Sequence, residues 1–218
     1  MGVVEEMNAN ESVLIVVDVQ NDFCHDDGVF GKAGIELRAM QASVDNLLPF
    51  IDAARAARVP VIFVKTHHDA WNNSPAFVDR YMRKAARAEI CATGTWGAEY
   101  YRVRPTAADC EVIKHRYSAF VGTQLEVVLR SLARPWVLVT GVTTNVCVES
   151  TIRDACMRDY RAVLVADCAA APTKEEHEGA IHNVRTYFGS VTDSASLRSR
   201  SASLRAASSS RCAASVAS

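Results

Sequence analysis

The fold of this chain is decided by one stretch, WVLVTGVTTNVCVESTIRDA, which covers residues 136–155. Its first four residues are continuously apolar, which predicts a strand that is buried on both faces of a sheet. After the glycine the spacing becomes helical, with apolar residues on one side and charged residues on the other. The stretch therefore predicts a buried strand, a tight turn and a helix, with Cys147 where that helix begins.

Cys147 occupies a position at which a cysteine can become a nucleophile. Unpaired backbone N–H groups and the positive end of the helix dipole favour the thiolate, which predicts a pKa below the usual value of about 8.5. The same N–H groups can hold the oxyanion that forms when a thiolate attacks a carbonyl. A small buried cysteine without a function is the alternative, but the strand, turn and helix around Cys147 favour the nucleophile.

The rest of the chain alternates strands and helices in the same way. The predicted strands are Val13–Val17, Val61–Val64, Glu111–Lys114, Val137–Thr140, Ala162–Ala166 and an edge strand, Ser190–Thr192. The predicted helices are Ile35–Arg58, Thr123–Leu132, Cys147–Arg158 and Lys174–Phe188, with a further helical turn near Val78–Ala88. This alternation predicts a three-layer α/β/α fold, in which helices cover both faces of a parallel, Rossmann-like sheet.

Three residues with complementary chemistry lie at the carboxyl ends of the predicted strands. Asp18 ends the first strand, Lys114 ends the third, and Cys147 follows the fourth. Ligands of such sheets bind beyond the carboxyl ends, near the point where the strand order reverses, so we expect the three side chains to converge. Cys147 can then attack an amide carbon, while Asp18 takes and returns the proton. Lys114 would keep the carboxylate charged or favour the thiolate.

Length and composition predict one folded unit and a tail. The chain has 218 residues, 49% of them hydrophobic, which is enough for one full core. We predict a single domain over residues 1–198. Residues 199–218 are dominated by serine, alanine and arginine and contain only two large aliphatic residues, so we predict a disordered tail.

Charge and cysteine content exclude several classes of protein. A formal charge of -1 provides no basic field for nucleic acid. No run approaches the roughly 18 apolar residues of a membrane span, and the acidic first ten residues do not resemble a targeting signal. The seven cysteines are scattered, without C-x-x-C pairs, which argues against a disulfide framework and a structural zinc site. We therefore expect a cytoplasmic protein without nucleic-acid or membrane partners.

Three segments together resemble a known family. VVDVQNDF (residues 16–23), KHRYSAF (114–120) and GVTTNVCVESTIRDA (141–155) are similar to the three motifs of the isochorismatase-like cysteine hydrolases. That family includes nicotinamidase, N-carbamoylsarcosine amidase and ureidoacrylate amidohydrolase. The resemblance implies a hydrolase of non-peptide C–N bonds, and we expect no cofactor. It also implies a homo-oligomer, because oligomers are common in the family.

The resemblance assigns roles to individual residues. It implies a catalytic triad of Asp18, Lys114 and Cys147, with Cys147 as the nucleophile. It also implies a cis peptide bond between Val142 and Thr143, and an oxyanion hole formed by the backbone N–H groups of Thr143 and Cys147.

The substrate is less well defined than the triad. Nicotinamidases hold a divalent metal on an Asp-x-His motif after the second strand, and the corresponding KTHHDAW stretch, residues 65–71, lacks it. His67 and His68 are adjacent and point to opposite sides of an extended segment, so we predict no metal. The segments around Lys114 and Cys147 and the segment NVRTYFGSVTD, residues 183–193, are most similar to the ureidoacrylate and N-carbamoyl branch, whose members cleave a carbamoyl C–N bond.

Several residues are candidates for contact with a small amide substrate, because loops at strand carboxyl ends must form the pocket. These candidates are Gln20, Phe23, Trp71, Asn72, Trp96 and Tyr117. Gln20 is equally suited to bracing the loop, and nearby Asp22 is better explained as a turn cap than as a second acid. Two alternatives stay open at this point, namely a nicotinamidase and a non-catalytic binding or scaffold protein with the same fold.

Overall fold

The computed structural model of the chain describes residues 6–81 and 90–199. The predicted tail therefore lies outside the described residues, except for Ser199. The same is true of most of the helical turn predicted near Val78–Ala88. Among the described helices, none is both long and apolar enough to cross a membrane.

Six strands form a single sheet in which every neighbouring pair is parallel. The strands are β1 (Ser12–Val17), β2 (Val61–Thr66), β3 (Cys110–Lys114), β4 (Trp136–Val142), β5 (Arg161–Ala170) and β6 (Ser190–Thr192). Their order is β3-β2-β1-β4-β5-β6. The predicted parallel sheet is confirmed, and its order reverses between β1 and β4, the two central strands.

Helices cover both faces of this sheet. They are α1 (Asn21–Cys24), α2 (Val29–Lys32), α3 (Arg38–Ala56), α4 (Pro75–Tyr81), α5 (Leu125–Leu132), α6 (Glu149–Cys156) and α7 (Lys174–Asn183). Alternate residues of β1 face opposite layers: Leu14 packs in the apolar cluster that contains Leu47 of α3, whereas Ile15 packs in the cluster that contains Ile152 of α6. The predicted three-layer α/β/α architecture is confirmed.

Two apolar clusters explain why this sequence adopts three layers. All six residues of β1 and all seven of β4 are buried, as the continuous apolar runs predict. Each fully buried aliphatic side chain contributes roughly 1.5–3 kcal/mol relative to an exposed one. The central strands are therefore fixed from both sides, and their carboxyl ends are held at the point where the strand order reverses.

Gly141 allows β4 to lie close to β1 near that point. Its φ of 104° is unfavourable for other residues, and a methyl group in place of its hydrogen would lie 2.0 Å from the carbonyl oxygen of Val17. Beyond Gly141, β4 continues to Val142 and the chain turns.

The helix predicted to begin at Cys147 is irregular at its start. Residues Thr144–Val148 form a π-helical turn, and α6 begins only at Glu149. The wide turn is closed by a hydrogen bond from the Val148 N–H to the Thr143 carbonyl, 3.2 Å long. Periodicity could not reveal this, because the apolar spacing of a π-turn differs little from that of an α-helix over five residues.

Candidate active site

Asp18, Lys114 and Cys147 meet at the carboxyl ends of β1, β3 and β4. The Lys114 Nζ lies 2.8 Å from Asp18 Oδ2 and 3.5 Å from Cys147 Sγ. The three residues are 0%, 1% and 9% exposed, respectively. A carboxylate, an ammonium and a thiol that the sequence separates by up to 129 positions are thus in direct contact inside the protein.

The Lys114 ammonium is held by further oxygen atoms. It donates to Thr66 Oγ1 at 2.7 Å and to the Arg116 carbonyl at 3.0 Å. A lysine ammonium has three protons, and its third acceptor is Cys147 Sγ. Asp18 therefore forms an ion pair with a cation whose position is fixed. Sequence reasoning missed Thr66, although it ends β2 and therefore lies at the same edge of the sheet.

Burial and charge act in opposite directions on Asp18 and Lys114. Burial raises the pKa of Asp18, and the positive charge of Lys114 reverses this only in part. For Lys114, burial lowers the pKa, but the Asp18 carboxylate and the Cys147 sulfur raise it by more, so its pKa lies above the usual value. Lys114 is therefore a permanent cation at neutral pH, while Asp18 is a carboxyl that can readily accept a proton.

The prediction of a lowered pKa for Cys147 is wrong. Burial raises the pKa of this thiol, and the Lys114 cation opposes burial without overcoming it. The thiol lies in the apolar cluster with Ile15 and Ile152. There, removal from water raises its pKa by more than the positive end of the helix dipole lowers it. Cys147 is therefore a neutral thiol when the site is empty, and it needs a neighbouring base to become a nucleophile.

The turn before Cys147 presents a backbone donor. The Val142–Thr143 peptide bond is cis. The Thr143 carbonyl accepts hydrogen bonds from Val146 and Val148, whereas its own N–H has no acceptor within the described part of the chain. A free N–H group four residues before the nucleophile can stabilise negative charge on a substrate oxygen.

Thr151 ties the nucleophile to the loop that follows Lys114. Its hydroxyl donates to the Cys147 carbonyl at 2.7 Å and accepts the Ala119 N–H at 3.1 Å. The sequence offered only a weak signal for this residue, a threonine four positions after Cys147, which is a common place for a hydroxyl that bonds its own helix.

Two of the predicted substrate-binding residues are buried. Gln20 is fully buried; its amide nitrogen donates to the carbonyls of Thr66 and Ala98 at 2.9 and 2.7 Å, and its amide oxygen accepts the Thr66 N–H at 2.8 Å. Phe23 is buried and packs edge-on against Phe30, with ring centroids 5.1 Å apart. In this structure Gln20 braces the end of β2, and Phe23 belongs to the core.

Asp22 differs sharply from Asp18, although both carboxyls are buried. Asp22 accepts the backbone N–H groups of Val29 and Cys91 at 3.1 and 2.6 Å. The Asp18 carboxylate accepts no backbone N–H in the part of the chain that the structure describes. Asp22 therefore organises loops, as its interpretation as a turn cap suggested, and Asp18 keeps its capacity to accept a proton.

The remaining predicted contacts lie on loops beyond the strands. Trp71 is 98% exposed, and Trp96 is partly exposed, with its ring 4.9 Å from that of His25. The Asn72 carbonyl accepts a hydrogen bond from Arg116 at 3.0 Å, which places Asn72 next to the loop after Lys114.

Tyr117 and His68 lie in the same region. The Tyr117 ring is 6.3 Å from that of Phe77. Phe77 also contacts His68, whose Nδ1 lies 3.0 Å from Asn73 Oδ1 and whose pKa burial lowers to about 4. Within residues 6–81 and 90–199, no three His, Cys, Asp or Glu side chains are grouped as metal ligands.

Comparisons with known proteins agree with this architecture. The isochorismatase domain family matches residues 12–196. Ureidoacrylate amidohydrolase RutB of Serratia proteamaculans is 34% identical over 197 residues, which are 84% of this chain and 79% of that protein.

Solved structures share the fold over nearly the whole chain. A cysteine hydrolase of Pseudomonas syringae pv. phaseolicola superposes with a TM-score of 0.80 and 28% identity, over 90% of this chain and 95% of the other. N-carbamoylsarcosine amidase of Thermoplasma acidophilum gives a TM-score of 0.70 and 27% identity, over 84% of this chain and 96% of the other. The family match spans most of the protein, and the chain belongs to the isochorismatase family.

Proposed function

We propose that this protein is a cysteine-dependent amidohydrolase that cleaves a carbamoyl C–N bond through an acyl-enzyme on Cys147. One observation carries the proposal: the Lys114 ammonium, buried with its two partners, lies 2.8 Å from Asp18 and 3.5 Å from Cys147. Buried charges are costly unless they are paired, and a thiol beside such a pair has both a base and a cation within reach.

The reaction class rests on the family and its relatives. The chain is an isochorismatase-family amidohydrolase, because its relatives are amidohydrolases that act on C–N bonds. Two of the proteins compared, a ureidoacrylate amidohydrolase and an N-carbamoylsarcosine amidase, carry a carbamoyl group in the substrate of their names. We therefore assign a small carbamoyl amide as the substrate class.

The first half of the reaction uses Asp18 as a base. The Cys147 thiol transfers its proton to the Asp18 carboxylate as its sulfur attacks the carbamoyl carbon. The raised pKa of Asp18 assists this transfer, because a stronger base accepts the proton of a buried thiol more readily. Lys114 stays protonated and stabilises the thiolate as it develops.

The tetrahedral intermediate then collapses. Its oxyanion accepts hydrogen bonds from the backbone N–H groups of Thr143 and Cys147. The carbon–nitrogen bond breaks while protonated Asp18 returns the proton to the leaving nitrogen, which departs as a neutral amine or ammonia. The carbamoyl or related acyl group remains on the Cys147 sulfur.

The second half repeats these roles with water. Asp18 removes a proton from water, which attacks the thioester-like carbon, and the same oxyanion site is used again. Cys147 leaves as a thiolate and takes the proton from Asp18, which restores the starting state. No step requires a metal or another cofactor.

The direct test is ammonia release by the purified protein. The panel contains ureidoacrylate, N-carbamoylsarcosine, biuret and nicotinamide, with a metal chelator in half of the wells. Cys147→Ala is assayed beside Cys156→Ala. The second variant is the matched control, because Cys156 is a half-buried cysteine at the end of α6, outside the triad.

Three outcomes are distinguishable. Chelator-resistant turnover of a carbamoyl compound that Cys147→Ala abolishes and Cys156→Ala preserves would support the proposal. Chelator-sensitive turnover of nicotinamide alone would contradict the assigned substrate class. No turnover of any substrate would contradict the proposal in favour of a binding or scaffold protein.

A further inference from the structure

The six residues 143–148, here called the nucleophile turn, contain both proposed oxyanion donors and the nucleophile. Their backbone is irregular, since residues 144–148 form a π-helical turn. Such a segment depends on contacts from outside to keep its N–H groups aimed at one point. A misplacement of about 1 Å can cost about a hundredfold in rate, so these contacts matter for catalysis.

Apart from the contact between Lys114 and Cys147, a second side-chain contact reaches the nucleophile turn from a distant part of the chain. His177 Nδ1 on α7 lies 2.8 Å from Thr144 Oγ1, across 33 positions of sequence. Thr144 is fully buried, and it is the neighbour of Thr143, whose N–H we place in the oxyanion hole. This hydrogen bond therefore acts on the residue that adjoins the proposed donor.

The helix that carries His177 is itself fixed at both ends. At its start the Thr173 hydroxyl accepts the Glu176 N–H at 3.2 Å, and the Glu176 carboxylate accepts the Thr173 N–H at 3.2 Å. At its end Asn183 donates to the Glu149 carboxylate of α6 at 3.1 Å. α7 thus holds His177 against the nucleophile turn from a rigid base.

The ring is also in the state that such a contact needs. His177 is partly buried, and burial lowers its pKa below the usual value, so the imidazole is neutral at neutral pH. A neutral imidazole offers one donor and one acceptor, and either tautomer can bond the Thr144 hydroxyl, which donates as well as accepts.

We infer that His177 is a positioning residue for the amidohydrolase reaction, which fixes Thr144 and thereby aims the Thr143 N–H at the developing oxyanion. The inference rests on the proposed function. It assigns His177 no contact with substrate, so its loss should affect the transition state more than substrate binding.

The test compares three variants on α7. His177→Ala should lower kcat about ten- to a hundredfold and leave KM within about twofold. His177→Asn, whose side-chain amide atoms occupy positions close to Nδ1, should recover most of the lost kcat. His182→Ala is the matched control, because His182 is an exposed histidine on the same helix, and it should retain the wild-type kcat.

A double-mutant cycle shows whether the effect passes through Thr144. Thr144→Val removes the same hydrogen bond with little change in volume. If the two residues act through one contact, the Thr144→Val/His177→Ala enzyme should be no slower than the slower single variant. Thermal midpoints of all variants are measured, and the assays are run well below the lowest of them.

The outcomes separate this inference from the proposed function. An active wild type with unchanged kcat in His177→Ala would overturn the inference and leave the function intact. Equal losses in His177→Ala and His177→Asn, or fully multiplicative losses in the cycle, would also overturn it. A wild type that is silent on every carbamoyl substrate would contradict the proposed function, and the inference with it.

Discussion

The two ends of the central strands differ in the side chains that surround them. At the carboxyl ends, Asp18, Lys114 and Cys147 bring charge and a thiol into a buried contact. At the amino ends, a small apolar pocket is lined by residues that include Met7, Phe50, Val59, Leu138 and Leu197. The buried ion pair thus lies at the carboxyl end of the sheet, and the apolar pocket lies at its amino end.

The difference separates function from stability. A buried ion costs several kcal/mol even after the protein relaxes, and a buried ion pair rarely makes a protein more stable than apolar residues would. Apolar burial, by contrast, stabilises roughly in proportion to area. The carboxyl end is therefore expected to control turnover, and the amino end is expected to control the free energy of unfolding.

The largest effect is expected at the nucleophile. Cys147→Ala should lower turnover of a carbamoyl substrate at least about a thousandfold, because no other group can form the acyl-enzyme. The free energy of unfolding should change by no more than about 1–2 kcal/mol, since only one small buried atom is lost. Steady-state kinetics and urea denaturation measure the two quantities. Turnover within tenfold of wild type would show that Cys147 is not the nucleophile.

Loss of the Lys114 cation should lower both turnover and the free energy of unfolding. Lys114→Met removes the positive charge that opposes the effect of burial on Asp18. We expect turnover to fall about a hundredfold or more, and the free energy of unfolding at pH 7 to fall by about 3–5 kcal/mol. Kinetics and urea denaturation at pH 7 test both values.

The pH dependence of Lys114→Met gives a sharper test. Without the cation the pKa of Asp18 rises further, so the folded state keeps a proton that the unfolded chain releases above about pH 4. The free energy of unfolding of this variant should therefore decrease, relative to wild type, as the pH rises from about 4 towards the new pKa. Lys114→Met/Asp18→Asn is the control and should lose this slope. If the free energy of unfolding depended on pH in the variant as it does in wild type, Lys114 would not be the charge that controls the pKa of Asp18.

A substitution near the amino end of β4 should lower the free energy of unfolding without changing kcat. Leu138 is buried beside the apolar pocket, so Leu138→Ala should lower the free energy of unfolding by about 2–5 kcal/mol. Its kcat should equal that of wild type at temperatures where both proteins are folded. Denaturation and kinetics on the same preparation provide the check, and a tenfold loss of kcat would break the separation between the two ends.

The smallest effect on stability is expected at Trp71. Its indole is 98% exposed, so Trp71→Ala should change the free energy of unfolding by less than about 0.5 kcal/mol. Phe63→Ala provides the contrast, because Phe63 is fully buried in β2 and should cost about 3–5 kcal/mol. A comparable loss in both variants would show that the exposed indole packs against something in solution.

Much of the fold was predictable because its signals are local. The unbroken apolar runs in β1 and β4 predicted buried parallel strands, and the charged residues at strand ends predicted where Asp18, Lys114 and Cys147 would meet. The irregular features were not predictable. The π-turn before α6 and the extension of β5 to Ala170 depend on tertiary contacts, which periodicity does not report.

The residues of the site were easier to predict than their pKa values and their contacts. The helix start at Cys147 suggested a lowered pKa, but burial dominates and raises it. Gln20 was a candidate for either substrate contact or bracing, and only the contacts with Thr66 and Ala98 distinguish the two. The roles of the triad and the homo-oligomer remain predictions.

The central claim is that Cys147 carries the acyl group, and trapping that group tests it most directly. The enzyme is mixed with a carbamoyl substrate, quenched in acid during turnover, digested and analysed by mass spectrometry. We predict a substrate-dependent mass increase, equal to the transferred acyl group, on the peptide that contains Cys147, and its absence from Cys147→Ala. Rapid turnover with an unmodified Cys147 peptide at every quench time, or an acyl group on another cysteine, would contradict the account.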